Sequence, residues 1–203
     1  MITCMFDILC VTNRKLCRED FLCRIEKIAK AGPRGIILRE KDLSEEAYKQ
    51  LAVSVCEICK KYGVLCILHS FAAVAEELGA DGIHMPLPLL RNMTEQERGR
   101  FRLLGASCHS VEEAREAQRC GCTYVTAGHI FKTDCKRGLP GRGTGFLREV
   151  CESVTIPVYG IGGIDRGNYR EVLQTGAKGA CIMSGLMCCE DVESYMEEFR
   201  DEV

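Results

Sequence analysis

The sequence predicts an α/β fold, a (β/α)8 TIM barrel formed by a single domain over residues 1–203. Eight short β-like runs alternate with eight helical patterns along the chain. Each strand–helix unit takes roughly 25 residues, which lies at the small end of the range for such barrels. No linker or low-complexity segment divides the chain. An open doubly wound sheet is the alternative, although five or six strands are more usual there.

Each predicted strand is a short apolar run, and each predicted helix has apolar residues at helical spacing. The predicted strands are 4–12, 35–39, 65–69, 82–85, 102–107, 124–127, 157–159 and 179–183. The predicted helices are 18–31, 44–62, 71–78, 94–100, 111–119, 143–153, 167–175 and 192–202. Helix N-caps followed by acidic residues are expected at Ser44, Thr94 and Ser110. Glycines that end a helix directly before a strand are expected at Gly79, Gly121 and Gly176.

Composition and charge argue against several classes of protein. Lys and Arg number 27 against 29 Asp and Glu, a formal net charge of −2, whereas nucleic-acid-binding modules usually carry a clear basic excess. No apolar run approaches the roughly 18 residues that a membrane helix needs. The N-terminus has no basic region ahead of its apolar stretch, so no signal peptide is predicted. We therefore expect a cytoplasmic protein that binds neither nucleic acid nor membranes.

The fifteen cysteines do not indicate a disulfide framework. Their number is odd, and they lie inside apolar runs or on the faces of predicted helices. Cys56 and Cys59 form a lone C-x-x-C one helical turn apart, without the second pair that a zinc ribbon needs. We interpret them as packing thiols in a reducing compartment.

The four histidines all end or follow predicted strands, which is where a barrel holds its chemistry. They are His69, His84, His109 and His129. No two of them have H-x-H or H-x-x-x-H spacing, so no metal site is expected. For His69, His84 and His109 the favoured interpretation is a hydrogen-bonded histidine at the rim or in the core.

A phosphate site is predicted after strands seven and eight, where barrels frequently place one. Strand seven runs into Gly-Ile-Gly-Gly at 160–163, and strand eight into Met-Ser-Gly at 183–185. Small residues let backbone N–H groups approach an anion, and a following helix N-terminus adds a favourable dipole. The alternative is that these glycines only form tight turns. The expected phosphate-binding residues are Gly162, Gly163, Met183 and Ser184.

Two basic segments are also candidates for substrate binding. Arg39 and Lys41 lie two apart at the end of strand two, so they share one side of the strand while Glu40 takes the other. Exposed loop charge is the alternative interpretation. The segment 129–145 contains four glycines and is rich in Lys and Arg, which is typical of a lid over a phosphorylated substrate. At its root, the imidazole of His129 can accept and donate protons near neutral pH.

At these residues the chain resembles the thiamine-phosphate synthase family, which includes a thiazole tautomerase branch. The matching segments are 39–41, 80–84, 105–107, 156–164 and 176–185. The resemblance covers essentially the whole chain. It implies a (β/α)8 barrel that acts on a thiazole phosphate.

Two departures from the synthase pattern point to the tautomerase branch. Synthases typically carry Gly-Pro at the start of the long loop and Thr-x-Thr-Lys within it. This chain has Gly128-His129 at the first position, and Thr133, Cys135 and Lys136 at the second. In the tautomerase branch the histidine is the proposed acid/base. It moves a proton in 2-carboxy-4-methylthiazol-5(2H)-ylidene ethyl phosphate to form the aromatic carboxythiazole phosphate.

The positions of the synthase carboxylates differ as well. Synthases typically carry Asn-Asp after strand three and Asp after strand four, and these hold the magnesium of the pyrimidine diphosphate. Here His69-Ser70 and a segment without any carboxylate, 85–90, stand in their place. A hard divalent cation prefers oxygen ligands, so no cofactor is expected, with Mg²⁺ needed only under the synthase alternative.

The sequence therefore predicts a thiazole tautomerase with His129 as the catalytic residue. The expected substrate-binding residues are Arg39, Lys41, Ser107, Thr133, Lys136, Gly162, Gly163, Met183 and Ser184. The alternatives are a magnesium-dependent thiamine-phosphate synthase and a non-catalytic regulator that binds thiazole phosphate. Apolar residues on the barrel exterior are compatible with a homodimer.

Overall fold

The computed structural model describes residues 6–133 and 138–199. Its strands are β1 Phe6–Val11, β2 Pro33–Leu38, β3 Leu65–His69, β4 Gly82–Pro86, β5 Leu104–Cys108, β6 Tyr124–Gly128, β7 Val158–Ile161 and β8 Gly179–Ile182. They form a closed parallel barrel in which each strand pairs with the next along the chain. The predicted (β/α)8 fold class is confirmed.

The helices alternate with these strands and have the start signals that the sequence predicts. They are α1 Phe21–Lys30, α2 Glu45–Tyr62, α3 Ala72–Glu77, α4 Leu87–Asn92, α5 Glu95–Arg98, α6 Val111–Arg119, α7 Gly143–Ser153, α8 Arg166–Leu173, α9 Ser184–Cys188 and α10 Val192–Glu197. The side chains of Ser44, Thr94 and Ser110 each accept a hydrogen bond from a backbone N–H in the first turn of their helix. Among residues 6–133 and 138–199, no helix has the length and apolar character needed to cross a bilayer.

Two short helices, α4 and α9, are absent from the sequence prediction. α4 contains Pro88 and follows Pro86, and prolines in the first turn are tolerated because that turn has no N–H partners to lose. α9 starts within the predicted phosphate turn and includes Gly185. Strand 65–69 and helices 111–119 and 143–153 occur with the predicted ends, and the other predicted elements occur with shifted ends. The predicted positions 4–5 and 200–202 lie outside the described residues.

The strand register fixes the position of the predicted site residue Ser107 and of the residues that precede His129 and Gly162. In the β5–β6 ladder Gly105 pairs with Tyr124, and Ser107 pairs with Thr126. In the β6–β7 ladder Gly128 pairs with Ile161. All five residues of β6 and all four of β8 are buried, as expected for strands covered on both faces.

The chain divides into two compact units. One contains the chain up to Ile83 and from Ile182 onward, and the other spans His84–Cys181. In the first unit, apolar side chains of β1, β2, α1 and α2 are fully buried. In the second, apolar side chains of β5, β6, α6 and α7 are fully buried. The extent of a single domain over residues 1–203 stays a prediction.

The described cysteines are all free thiols, and most are buried or half-buried. Cys59 is fully buried, and the Sγ of Cys56 lies 3.4 Å from the Sγ of Cys66. Burial raises the pKa of Cys108 and of Cys122 to about 12, which keeps these thiols protonated and unreactive at neutral pH. The interpretation as packing thiols agrees with these positions.

Candidate active site

The predicted site residues are divided between the two units. The first unit holds Arg39, Lys41, Met183 and Ser184, and the second holds Ser107, His129, Thr133, Gly162 and Gly163. Thr133 is half-buried two residues after Phe131 and has contacts of its own. The predicted ligand Lys136 lies outside the described residues, as do Cys135 and Arg137.

His129 follows β6 directly and is fixed through its backbone. The N–H of Ile130 donates to the carbonyl of Ile161 at 3.0 Å, and the N–H of Phe131 donates to Gly162 at 2.9 Å, so the β6–β7 pairing continues past both strands. The N–H of Arg142 donates back to the carbonyl of His129 at 3.0 Å. The side chain is 8% exposed, and its Nε2 lies 3.5 Å from the carbonyl oxygen of Leu139. The backbone of His129 is therefore fixed, and its buried imidazole lies beside Leu139.

Gly162 and Gly163 lie against this histidine segment. A Cβ on Gly162 would lie 2.4 Å from the Cβ of His129, and one on Gly163 would lie 2.4 Å from the carbonyl oxygen of Lys132. Both glycines have positive φ, +100° and +67°, which other residues rarely adopt. Within the described part of the chain, neither N–H donates a backbone hydrogen bond. Glycine is thus required here by close approach, and the two N–H groups stay available to an anion.

Arg142, expected as one cation of the lid, is engaged at the base of the loop. Its guanidinium donates to the carbonyl of His109 and lies over the ring of Phe146, 4.0 Å from the ring centroid. The Nδ1 of His109 lies 3.0 Å from the carbonyl of Gly128. Arg142 therefore fixes the loop base. Lys132 is exposed.

A buried chain of three polar side chains crosses the second unit. The Oη of Tyr124 lies 2.9 Å from the Nδ1 of His84, and the Nε2 of His84 lies 2.9 Å from the Oγ of Ser107. Tyr124 and His84 are each 3% exposed, while Ser107 is half-buried. His84 is thus a hydrogen-bonded core histidine, as the sequence favoured, and its partner is a predicted site residue.

The segment after β2 is fixed by a buried carboxylate. Glu40 is 3% exposed and accepts from the Oγ1 of Thr12 at 2.7 Å and from the backbone N–H of Arg14 at 3.0 Å. The Oγ1 of Thr12 in turn accepts from the N–H of Arg39 at 2.9 Å. β2 ends at Leu38, so residues 39–41 follow the strand and are not part of it. The expected alternation is kept in their burial, because Glu40 is buried while Arg39 is half-buried and Lys41 is exposed.

Arg39 and Lys41 nevertheless influence one another. Desolvation of its amino group lowers the pKa of Lys41, and the positive charge of Arg39 lowers it further. Arg39 is half-buried and Lys41 is exposed. The neighbouring positive charges of Arg39 and Lys41 favour an anionic partner.

The side chains that replace the synthase carboxylates do not fit a magnesium site. The Nδ1 of His69, the last residue of β3, lies 2.7 Å from the Oγ of Ser70, which follows the strand. The end of β4 continues into α4 through Met85, Pro86 and Leu87, which offer no side-chain oxygen. Mg²⁺ is bound mainly through carboxylate and water oxygens. Across the residues that the structure describes, no three His, Cys, Asp or Glu side chains lie together as a metal ion requires.

Met183 and Ser184 lie at the start of α9. Met183 is the N-cap residue and is half-buried, and Ser184 is exposed. Their role in phosphate binding stays a prediction.

Sequence reasoning missed the partners of these residues. The sequence predicts that Glu40 faces away from Arg39 and Lys41, but it does not indicate that this carboxylate anchors the segment. Tyr124 was seen only as the first residue of a strand. The available signal was Gly105, which pairs with Tyr124 in register and has no side chain to occupy that space.

Comparison with known proteins decides the family. The family model described as thiamine monophosphate synthase matches residues 8–186. The chain belongs to this family. A thiamine-phosphate synthase of Fusobacterium nucleatum subsp. nucleatum is 34% identical over 200 residues, which cover 94% of this chain and 95% of the relative. A thiamine-phosphate synthase of Clostridium acetobutylicum is 32% identical over 192 residues, with 93% and 90% covered.

A solved structure supports the same assignment. The thiamine phosphate pyrophosphorylase from Pyrococcus furiosus superimposes with a TM-score of 0.84 at 31% identity, covering 97% of this chain and 95% of that one. Membership of the thiamine monophosphate synthase family makes the chain an enzyme of thiamine biosynthesis.

Proposed function

We propose that this member of the thiamine monophosphate synthase family is a thiazole tautomerase. The substrate is 2-carboxy-4-methylthiazol-5(2H)-ylidene ethyl phosphate, and the product is the aromatic carboxythiazole phosphate. The observation that carries the proposal is His129, whose backbone is fixed by main-chain hydrogen bonds directly after β6 and whose side chain is an imidazole. The family's synthases typically carry proline there, which cannot transfer a proton.

The reaction needs one group that takes a proton and returns it elsewhere. His129 removes the proton from C2 of the ring, and the electron pair shifts along the conjugated system. The resulting imidazolium then protonates the exocyclic carbon, which completes the aromatic ring and returns the histidine to its neutral form. No atom is gained or lost. Such proton transfer by a positioned side chain typically contributes about 10²- to 10⁴-fold.

The remaining residues bind the substrate. The N–H groups of Gly162 and Gly163 are the proposed phosphate donors, since neither is used by the described backbone. Arg39 and Lys41 are the proposed partners of the substrate carboxylate, because two neighbouring cations favour an anion. Ser107 belongs to β5, beside the strand that leads to His129.

A thiamine-phosphate synthase is the second candidate, and two observations favour it. The curated relatives at 32% and 34% identity are named as such, and the Arg-x-Lys pattern at residues 39–41 resembles that of the synthases. The absence of oxygen ligands at the end of β4 weighs against it, because loss of a diphosphate usually needs a divalent cation to stabilise the developing charge.

The deciding experiment follows the aromatic chromophore by ultraviolet absorbance in the presence of a chelator. Purified protein should accelerate its growth over buffer, and added Mg²⁺ should leave the rate unchanged. The parallel assay supplies hydroxymethylpyrimidine diphosphate, thiazole phosphate and Mg²⁺ and measures pyrophosphate. Pyrophosphate release without tautomerisation would establish the synthase instead. Thermal stabilisation by thiazole phosphate with no turnover in either assay would establish a binding protein.

A further inference from the structure

We propose that Tyr124 is a positioning residue that acts through His84 to hold the hydroxyl of Ser107 as a hydrogen-bond donor toward the substrate. The assignment of a reacting substrate rests on the proposed tautomerase function. The hydrogen-bond chain itself rests on the two contacts of 2.9 Å that join the three side chains.

The buried end of the hydrogen-bond chain, Tyr124, determines which group donates in each hydrogen bond. Tyr124 is 3% exposed, and burial raises the pKa of its phenol well above the usual value, so the group keeps its proton. Among the described residues, its one hydrogen-bond partner is the Nδ1 of His84. A buried O–H group needs an acceptor, and Nδ1 is the acceptor within reach. Tyr124 therefore donates to His84.

That donation fixes the tautomer of His84. With Nδ1 acting as an acceptor, the ring proton of the neutral imidazole lies on Nε2. Nε2–H then donates to the Oγ of Ser107. Because the Ser107 oxygen accepts this bond, its own hydroxyl proton is directed to a further acceptor. Ser107 is the half-buried end of this hydrogen-bond chain, whereas Tyr124 and His84 are buried, so that acceptor can be a substrate atom.

The fold prepares the space for this arrangement. A Cβ on Gly105 would lie 2.1 Å from the Cζ of Tyr124 and 2.5 Å from its hydroxyl oxygen, so only glycine admits the phenol here. On its other side the ring of Tyr124 packs edge-on against Tyr159, with centroids 5.9 Å apart. The phenol thus has one place to lie, with its hydroxyl against His84.

The chemical consequence concerns charge in the transition state. As C2 loses its proton to His129, negative charge spreads over the ring and the carboxylate of the substrate. A fixed donor stabilises that charge without having to reorganise. If the Nε2 of His84 were unprotonated, the hydroxyl of Ser107 could donate to that nitrogen instead of to the substrate. It would then stabilise the negative charge less well. The hydrogen-bond chain from Tyr124 to Ser107 should therefore influence kcat more than KM.

A double-mutant cycle tests whether Tyr124 acts through Ser107. Tyr124→Phe keeps the ring and should lower kcat about fivefold, the size expected for one neutral hydrogen bond, while Ser107→Ala should lower it about tenfold or more. The double variant should match Ser107→Ala within about twofold, because the phenol has nothing left to position. Tyr169→Phe, which removes another buried phenol of the same unit, should leave kcat unchanged. Additive losses would overturn the proposal.

Nitrogen-15 spectra of the histidine rings give a readout that does not depend on turnover. In the native protein the Nδ1 of His84 should have the chemical shift of an unprotonated nitrogen, and Nε2 that of a protonated one. Tyr124→Phe should produce a mixture of tautomers, and Tyr169→Phe should not. A proton on Nδ1 in the native protein would reverse the chain and overturn the inference.

The kinetic measurements and the nitrogen-15 spectra together distinguish failure of the positioning role of Tyr124 from failure of the proposed tautomerase function. If the native protein lacks tautomerase activity, the proposed function fails, and the nitrogen-15 spectra alone decide the direction of the chain. If the native protein is active but Tyr124→Phe retains both full kcat and the native tautomer, the function stands and the role of Tyr124 fails.

Discussion

The segment after β6 and the segment after β2 both contain predicted site residues, but different forces hold them. His129 is held by main-chain hydrogen bonds and by glycines that allow close approach of the backbone. Residues 39–41 are held by side chains, through the buried carboxylate of Glu40 and its bonds to Thr12 and Arg14. One segment therefore depends on shape, and the other on charge.

This difference has a functional meaning. A proton-transfer group must keep its distance and angle to the reacting atom, and a shift of about 1 Å can cost about 10²-fold in rate. Main-chain hydrogen bonds give that rigidity and do not respond to protonation of side chains near neutral pH. A cationic segment that binds an anion needs less geometric accuracy, so charged side chains suffice.

The largest expected effect is on the tautomerisation rate and comes from removing the imidazole of His129. His129→Asn should lower the tautomerisation rate by about 10²-fold or more, because the amide cannot exchange a proton. Affinity for the thiazole phosphate should stay similar, since the phosphate donors are untouched. Single-turnover kinetics and calorimetric titration measure the two quantities. A near-native rate would remove His129 from the mechanism.

Gly162→Ala tests the dependence on shape. The added Cβ would overlap the Cβ of His129 at 2.4 Å and at a φ of +100°, so we expect a loss of about 2 kcal/mol in the free energy of unfolding. The rate constant should fall about tenfold as the imidazole moves. Gly145→Ala is the matched control, because Gly145 lies in α7 with no atom near its Cβ position. Urea denaturation should show that control to be neutral or slightly stabilised.

Glu40→Gln tests the dependence on charge. The amide keeps the shape but loses the charge-assisted bonds to Arg14, which should lower the free energy of unfolding by about 1.5 kcal/mol. KM should rise several-fold with kcat within twofold, because the Arg39–Lys41 segment binds substrate and does not transfer the proton. A fall in kcat with unchanged KM would show that the two segments are not separate in function.

The smallest expected effect is on the melting temperature and comes from replacing Asp42, the exposed partner of Arg14. A bidentate contact with Arg14, at 2.6 and 2.9 Å, and a contact with Lys15 hold the pKa of Asp42 well below its usual value. A carboxylate of this kind stabilises the fold above the unfolded pKa, about 3.9, and the contribution is lost as the pH falls below it. The melting temperature of Asp42→Asn should therefore lie slightly below that of the native protein at pH 7, and the gap should close below pH ~4.

The same pH series sharpens the contrast between the two segments. The melting temperature of Gly162→Ala should stay below that of the native protein by the same amount throughout, since overlap of carbon atoms does not titrate. A gap for Gly162→Ala that closes in acid would show that charge also holds the segment after β6.

Local signals in the sequence predicted much of the fold. Strand 65–69 and helices 111–119 and 143–153 occur with the predicted ends. Their boundaries depend on neighbouring residues, as when Ser110 caps the helix that follows it. α4 was missed because its prolines resemble a loop. The place of His129 was predicted because the end of a barrel strand is a local feature.

The partners inside the site could not be predicted in this way. The Tyr124–His84 contact joins residues 40 positions apart, and the His84–Ser107 contact joins residues 23 apart. Neither has a spacing rule, because strand register and the space beside Gly105 decide which side chains meet. The partners of Glu40 were missed for the same reason, since Thr12 and Arg14 come from an earlier part of the chain.

The sequence by itself determined the barrel, the enzyme family and the histidine that follows β6, because the barrel follows from periodicity and the other two follow from the identity of residues in ordered motifs. Only the tertiary structure decided how those residues are held. Hydrogen bonds and close contacts between distant segments depend on distances of a few ångströms, and such distances exist only once the strands have paired.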